Sequence, residues 1–144
     1  GGLVSNEPAM NIDIFPTLVK LAGGDLPTDR QIDGKNILPM LTDGATSPHE
    51  VLYLFDRDRI AGVRSGQWKL VVESQYRTAV PSFDNPDSYY GPNGLLFDVQ
   101  RDPSETYSFT REFPEVVEQM RVLLIEGQKE YGSTVLENMW NRPN

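Results

Sequence analysis

The chain has 144 residues, a size for one domain, with 38% hydrophobic and 24% charged residues, which lies outside the disordered range. Thirteen basic against twenty-one acidic residues give a net charge of −8, the wrong balance for a duplex-binding domain, whose phosphate contacts need Lys and Arg. Cysteine is absent and His49 is the single histidine, which excludes disulfides, zinc-thiolate sites, a cysteine nucleophile and any centre built on several imidazoles.

No apolar run approaches the roughly 20 residues of a membrane helix. The first residues, "GGLVSNEP", contain no signal peptide and no initiator Met, so they do not identify a compartment. "GGLVS" could end a strand. Asp13 stands as the N-cap of a helix whose third position is Pro16, where a missing N–H costs nothing. Phe15, Leu18, Val19 and Ala22 fall on one face at helical spacing, and Gly23 suits the stop. "GGDLPTDRQIDG" reads as a loop, "NILPML" as one short helical turn and "GATSPHE" as a second loop.

Strand signals follow at 51–55, 60–64 and 67–72, rich in branched and aromatic residues, with Ser65-Gly66 as a two-residue hairpin turn. Alternation puts Trp68, Leu70 and Val72 on one face of the third strand, with Gln67, Lys69 and Val71 on the other. A polar, aromatic-dotted loop runs from Ser74 to Gly94. "LLFDV" (95–99) is a fourth strand and "RDPSE" a turn. The clearest helix runs from Pro114, suited to the first helical position, to about Gly132. Its stripe is Val117, Met120, Leu124, Gly127 and Tyr131, widened by Phe113, Val116 and Leu123. The predicted fold is α+β: a small antiparallel sheet of about four strands, a long C-terminal helix on one face, and an N-terminal helix.

The order of these pieces carries a resemblance. "DIFPTLVKLAG", "LPTDRQIDG", "NILPML", "AGVRSGQWKLV", "LLFDVQRDPSET" and "FPEVVEQMRVLLIEGQKEY" together resemble the C-terminal part of the sulfatase family, the arylsulfatase-like branch of the alkaline phosphatase superfamily. The resemblance spans about residues 5 to 131. Each segment alone is common; their order and spacing are not. Two departures are local: Ser108-Phe109 stands where the family pattern has Asn-Leu, and the 74–94 loop exceeds the minimal connection.

The resemblance implies a single C-terminal subdomain. Residues 1–50 form the helix and loop connection normally joined to a catalytic domain, 51–131 the sheet and terminal helix, and 132–144 a tail. It implies hydrolysis of sulfate esters by a whole enzyme, on a sulfated small molecule or glycan. That chemistry uses a formylglycine made within a Cys/Ser-x-Pro-x-Arg motif and a divalent cation, calcium-like, held by Asp and Asn. Neither Ser47-Pro48 nor Pro81-Ser82 fits that motif, so no catalytic residue and no metal ligand is assigned to this chain. The partner implied is the N-terminal catalytic domain of the same enzyme; nucleic acid and membrane are not expected. Without that domain, the 14–22 helix is expected to keep an uncovered apolar face and the chain to self-associate. The resemblance leaves the compartment open and leans toward export, periplasmic or secreted. A phosphonate or phosphodiester hydrolase of the same superfamily, and a free-standing carbohydrate- or protein-binding module, are alternatives.

The residues expected to touch substrate are Tyr53, Arg57 and Arg59 beside the first strand, and Tyr76, Arg77, Tyr89 and Tyr90 in the long loop. Guanidinium forks suit sulfate oxygens, and aromatic rings suit a sugar face. His49, Glu50, Asp56 and Asp58 invite a metal-site reading, but Arg57 and Arg59 interleave with the acids, so they read as self-neutralised surface charge. Trp68 alternates with Leu70 and Val72 and reads as core. The Asp-Pro and Asp-Gly pairs read as turn chemistry.

Overall fold

The computed structural model describes residues 2, 4–56, 59–72 and 94–132, and of Arg59 only the backbone. The chain divides into two compact units, Gly1–Glu50 and Val51–Asn144.

In the first unit a 3-10 turn, Asn11–Asp13, leads into α1, Ile14–Leu21, and α2 follows at Leu38–Asp43. Pro16 is the third residue of α1, as the sequence predicts. Residues 2, 4 and 5 are not in a strand. Asp13 does occupy the N-cap position, but its side chain makes no bond to the amides of its own helix. Its carboxylate is engaged elsewhere.

The second unit is a four-stranded antiparallel meander in the order β1-β2-β3-β4, with β1 Leu52–Asp56, β2 Arg59–Ser65, β3 Trp68–Val71 and β4 Leu95–Asp98. Ser65 pairs with Trp68, so the hairpin turn is Gly66-Gln67, one residue later than the composition suggests. Serine is the last rung of the ladder because its neighbour Gly66, at φ +55°, takes the conformation the first turn position needs. Between Leu54 and Phe55 the β1–β2 register shifts, and Ala61 is left without a partner on β1. That bulge re-aims the end of the hairpin.

Tyr53, Val63, Leu70 and Leu96 form a row across one sheet face, as the pairing register requires. The terminal helix α3, Pro114–Tyr131, lies against this face and contacts β2 and β3. Its residues Val117, Met120 and Leu124 share a stripe at i, i+3 and i+7 and are buried together with Ile60, Val63, Leu70, Val72, Leu96 and Phe109. Trp68 packs against this cluster with its ring tilted over Phe113 at 5.1 Å and edge-on to Phe109 at 6.3 Å. It is a core residue, as its alternation predicts.

The outer edge of β4 is covered by the chain segment before α3. Phe109 N–H donates to the Leu96 carbonyl at 2.7 Å, and Leu96 N–H donates to Thr110 Oγ1 at 3.0 Å. An edge paired in this way offers no template for a foreign strand. Phe109 stands at the position where the family pattern has an aliphatic residue. The larger ring fits because Tyr107, Phe113 and Trp68 receive it edge-on or tilted, with Arg101 5.5 Å from its centroid.

Leu124 has no exposed surface. Leu124→Ala is expected to cost about 2–5 kcal/mol, the range for a buried leucine whose cavity does not collapse. Urea unfolding measures it. A loss under about half a kcal/mol would mean that α3 does not pack through this face.

Candidate functional site

A polar centre organises the first unit. Asp13 is fully buried and His49 nearly so, which overturns the reading of His49 as part of a charged surface. His49 Nε2 lies 2.8 Å from Asp13 Oδ1 and 2.9 Å from Oδ2. Met10 N–H donates to Oδ2 at 2.8 Å, and Lys35 N–H to Oδ1 at 2.8 Å. One carboxylate thus joins three points of the chain. Both atoms facing Nε2 are carboxylate oxygens, so the imidazole carries a proton on that nitrogen.

Burial works to raise the Asp13 pKa, but the Lys35 and Met10 amides and the His49 ring outweigh it and hold the carboxyl below its ordinary value of 3.8. Neighbouring bonds extend the centre. Thr17 Oγ1 donates to the Asp13 carbonyl at 2.6 Å and accepts from Ile37 N–H at 3.0 Å. Lys35 Nζ donates to the Pro48 carbonyl, and Ser47 donates through its N–H to Glu7 and through its hydroxyl to the Pro8 carbonyl. Gly34 runs so close to the Ile12 carbonyl that a Cβ there would stand 2.1 Å from the oxygen. The order Asp13, Pro16-Thr17, Asp33-Gly34 is therefore the footprint of a packed centre, and the glycine is required by backbone proximity.

This centre is not a metal site. Among the described residues no three His, Asp or Glu side chains come together, and both Asp13 oxygens already accept backbone N–H groups. Nor is it open to a substrate. It holds structure.

The second unit uses aspartates in the same way. Asp98 Oδ1 accepts from the Gln100 and Arg101 amides at 3.2 and 3.1 Å, and Oδ2 accepts from Gln67 Nε2 at 3.1 Å. Asp102 Oδ2 accepts from the Thr106 and Tyr107 amides at 2.6 and 2.9 Å. These bonds draw the Asp102 carboxyl below its ordinary value, the Tyr107 amide most strongly. The "DVQRDPSET" segment is turn chemistry, as expected. Glu105, at φ +53°, occupies the left-handed region and pairs with Lys69 of β3. That ion pair ties the turn to the sheet.

Of the residues expected to meet substrate, Tyr53 is on β1 with its ring half-buried against α3, and Arg59 begins β2. Arg57, Tyr76, Arg77, Tyr89 and Tyr90 lie outside the described residues. Asp56 and Arg59, which bound one segment, and Val72 and Gly94, which bound the other, all stand at the same end of the sheet, because β1 and β3 run toward it and β2 and β4 run from it. Tyr53 also meets Tyr131 edge-on at 5.6 Å, and its hydroxyl pKa is raised by burial and by Glu130 and Glu126. The phenol therefore stays neutral and works as a packing group here.

The first unit is organised by a buried carboxylate–imidazole centre, and the second is an antiparallel meander crossed by one long helix. The sequence pattern of the C-terminal region of aryl-sulfatase matches residues 47–142, and the chain belongs to the sulfatase family. Steryl-sulfatase of Rattus norvegicus is 36% identical over 126 residues, covering 74% of this chain and 21% of that protein. Arylsulfatase H of Homo sapiens is 32% identical over 149 residues, covering 89% of this chain and 26% of that protein. Among solved structures, the PsFucS1 sulfatase of Pseudoalteromonas sp. superposes with a TM-score of 0.66 at 24% identity, over 93% of this chain and 28% of that one. The chain thus spans about a fifth to a quarter of the relatives it matches.

One contact tests the role of Tyr53 directly. A Cβ at Gly127 would stand 2.3 Å from the Tyr53 ring. Helix propensity alone favours Gly127→Ala by about 1 kcal/mol. Overpacking against the ring costs about 1–3 kcal/mol, so the substitution is expected to destabilise. In a Tyr53→Ala background the same change is expected to stabilise. Urea unfolding of the four chains measures this coupling, and stabilisation by Gly127→Ala in the native background would refute it.

Proposed function

We propose that this chain is the C-terminal part of an enzyme that hydrolyses sulfate esters, where it completes the fold and forms part of the rim of the substrate pocket. The observation that carries this reading is the family match over residues 47–142, together with the small share of each relative that the chain spans. The names of the relatives differ in the alcohol, steryl in one and aryl in another, so the chemistry they have in common is the sulfate ester alone. The formylglycine and a calcium-like cation belong in this reading to the catalytic domain, which is also the chain's partner, and the enzyme is exported. Arg57, Arg59 and Arg77 would meet anionic oxygens, and Tyr76, Tyr89 and Tyr90 the organic part of the substrate. The common sheet end of the two bounding segments supports that grouping.

Catalysis needs an activated nucleophile and stabilisation of the leaving oxygen, and these residues hold neither. The purified 144-residue chain is therefore expected to leave an aryl sulfate intact, with or without calcium. A longer polypeptide that includes the Cys/Ser-x-Pro-x-Arg motif is expected to hydrolyse it. Metal-dependent turnover by the 144-residue chain, lost on replacing Asp56 or Asp58, would overturn the assignment.

The partner surface in this reading is α1. Ile14, Phe15, Leu18 and Leu21 are 57%, 51%, 56% and 63% exposed, while Pro16 and Thr17 on the other side are buried. Contiguous apolar surface of this kind is uncommon on monomers and finds cover. The catalytic domain would supply it. The 144-residue chain by itself is expected to self-associate through this helix, or to exchange its amides readily across residues 4–24. Sedimentation combined with hydrogen exchange tests this. A strictly monomeric chain whose Leu18 and Val19 amides are as protected as those of Trp68–Val71 would show that the face needs no partner.

A further inference from the structure

The Asp13 carboxylate has an unusual neighbourhood: every polar group that touches it is a donor. Met10 N–H, Lys35 N–H and His49 Nε2–H all point at its two oxygens, in a site without solvent exposure. A proton on the carboxyl would need an acceptor, and while His49 Nε2 keeps its own proton none faces it. Protonation must therefore push at least one donor away, and a buried N–H that loses its acceptor is costly. We propose that the Asp13–His49 pair is an acid-operated clasp: one proton on Asp13 releases Met10, Lys35 and His49 together and opens residues 34–49 from α1 as a local step.

The chain geometry makes the release concerted. Lys35 and His49 bound the segment that contains α2, and that segment is held to α1 by the Asp13 oxygens and by Thr17, whose hydroxyl receives Ile37 N–H. Other charged groups nearby do not act on the carboxylate in the same way. The Lys35 ammonium is spent on the Pro48 carbonyl, Glu7 on the Ser47 amide, and Lys20 pairs with Asp25 on the exposed side of α1. His49 is the titratable side chain that faces Asp13, and its ring lowers the carboxyl's pKa.

The direction follows from linkage. Asp13 binds its proton less readily folded than unfolded, so the clasp is fully formed above the ordinary value of 3.8 and fails as pH falls below it. A single-proton opening changes tenfold per pH unit. The sheet supplies an internal reference, since Val63, Leu70 and Leu96 are held by apolar packing that no proton disturbs.

The test is amide exchange of a longer polypeptide in which the catalytic domain covers α1, with protection followed from pH 5 downward at Met10, Lys35 and Ile37 and at Val63 and Leu70. Protection at the first three is expected to fall together, about tenfold per pH unit once below the ordinary carboxyl value, while the sheet amides hold. In His49→Gln, which keeps a donor but not the imidazole, the folded carboxyl lies closer to its ordinary value, so the total fall in protection at the three clasp amides is expected to be smaller and to level off at higher pH. Retained protection at all five amides, loss at the same pH in both groups, or an equally deep fall in His49→Gln would each overturn the clasp.

Discussion

Backbone amides in loops need acceptors as much as those in helices do, and at three places among the described residues aspartate carboxylates supply them. Asp13 collects Met10 and Lys35, Asp98 collects Gln100 and Arg101, and Asp102 collects Thr106 and Tyr107. Each carboxylate therefore fixes an end of an element: the start of α1 in the first unit, the exit of β4 and the turn beyond it in the second. Remove the acceptor and two amides are stranded at each place. A carboxylate suits this task because its two oxygens can receive several donors at once, and bonds to a charged acceptor are shorter and stronger than neutral ones.

Constraints of that kind leave uneven traces in a sequence. Asp98 and Asp102 act on amides two to five residues away, so the turn was legible from "DVQRDPSET". Strands and the terminal helix were legible too, because alternation at Trp68, Leu70 and Val72 and the 3.6-residue stripe through Leu124 are local patterns. The Asp13–His49 pair was not. Its members are 36 residues apart, and neither sits in a periodic pattern that links them. A lone histidine next to Glu50 reads as surface charge until the fold brings a buried carboxylate to its ring. The hairpin turn shows a smaller version of the same limit, since the choice between Ser65-Gly66 and Gly66-Gln67 depends on which residue the β2–β3 ladder pairs last.

The segments that mark the family in this chain are thus footprints of architecture. "DIFPT" and "DG" record the Asp13 centre and the close pass of Gly34 over Ile12. "LLFDVQRDPSE" records two aspartate-centred turns and the Lys69–Glu105 pair. They place the chain in the sulfatase family through its scaffold.

Fold positions and candidate binding positions differ in what fixes them. Fold positions repeat with the period of the element that holds them, whereas substrate-contacting residues answer to a ligand. Tyr53 shows what happens where the two overlap: it has an aromatic ring suited to a sugar, but the row Tyr53–Val63–Leu70–Leu96 and the space left by Gly127 claim that ring for the core.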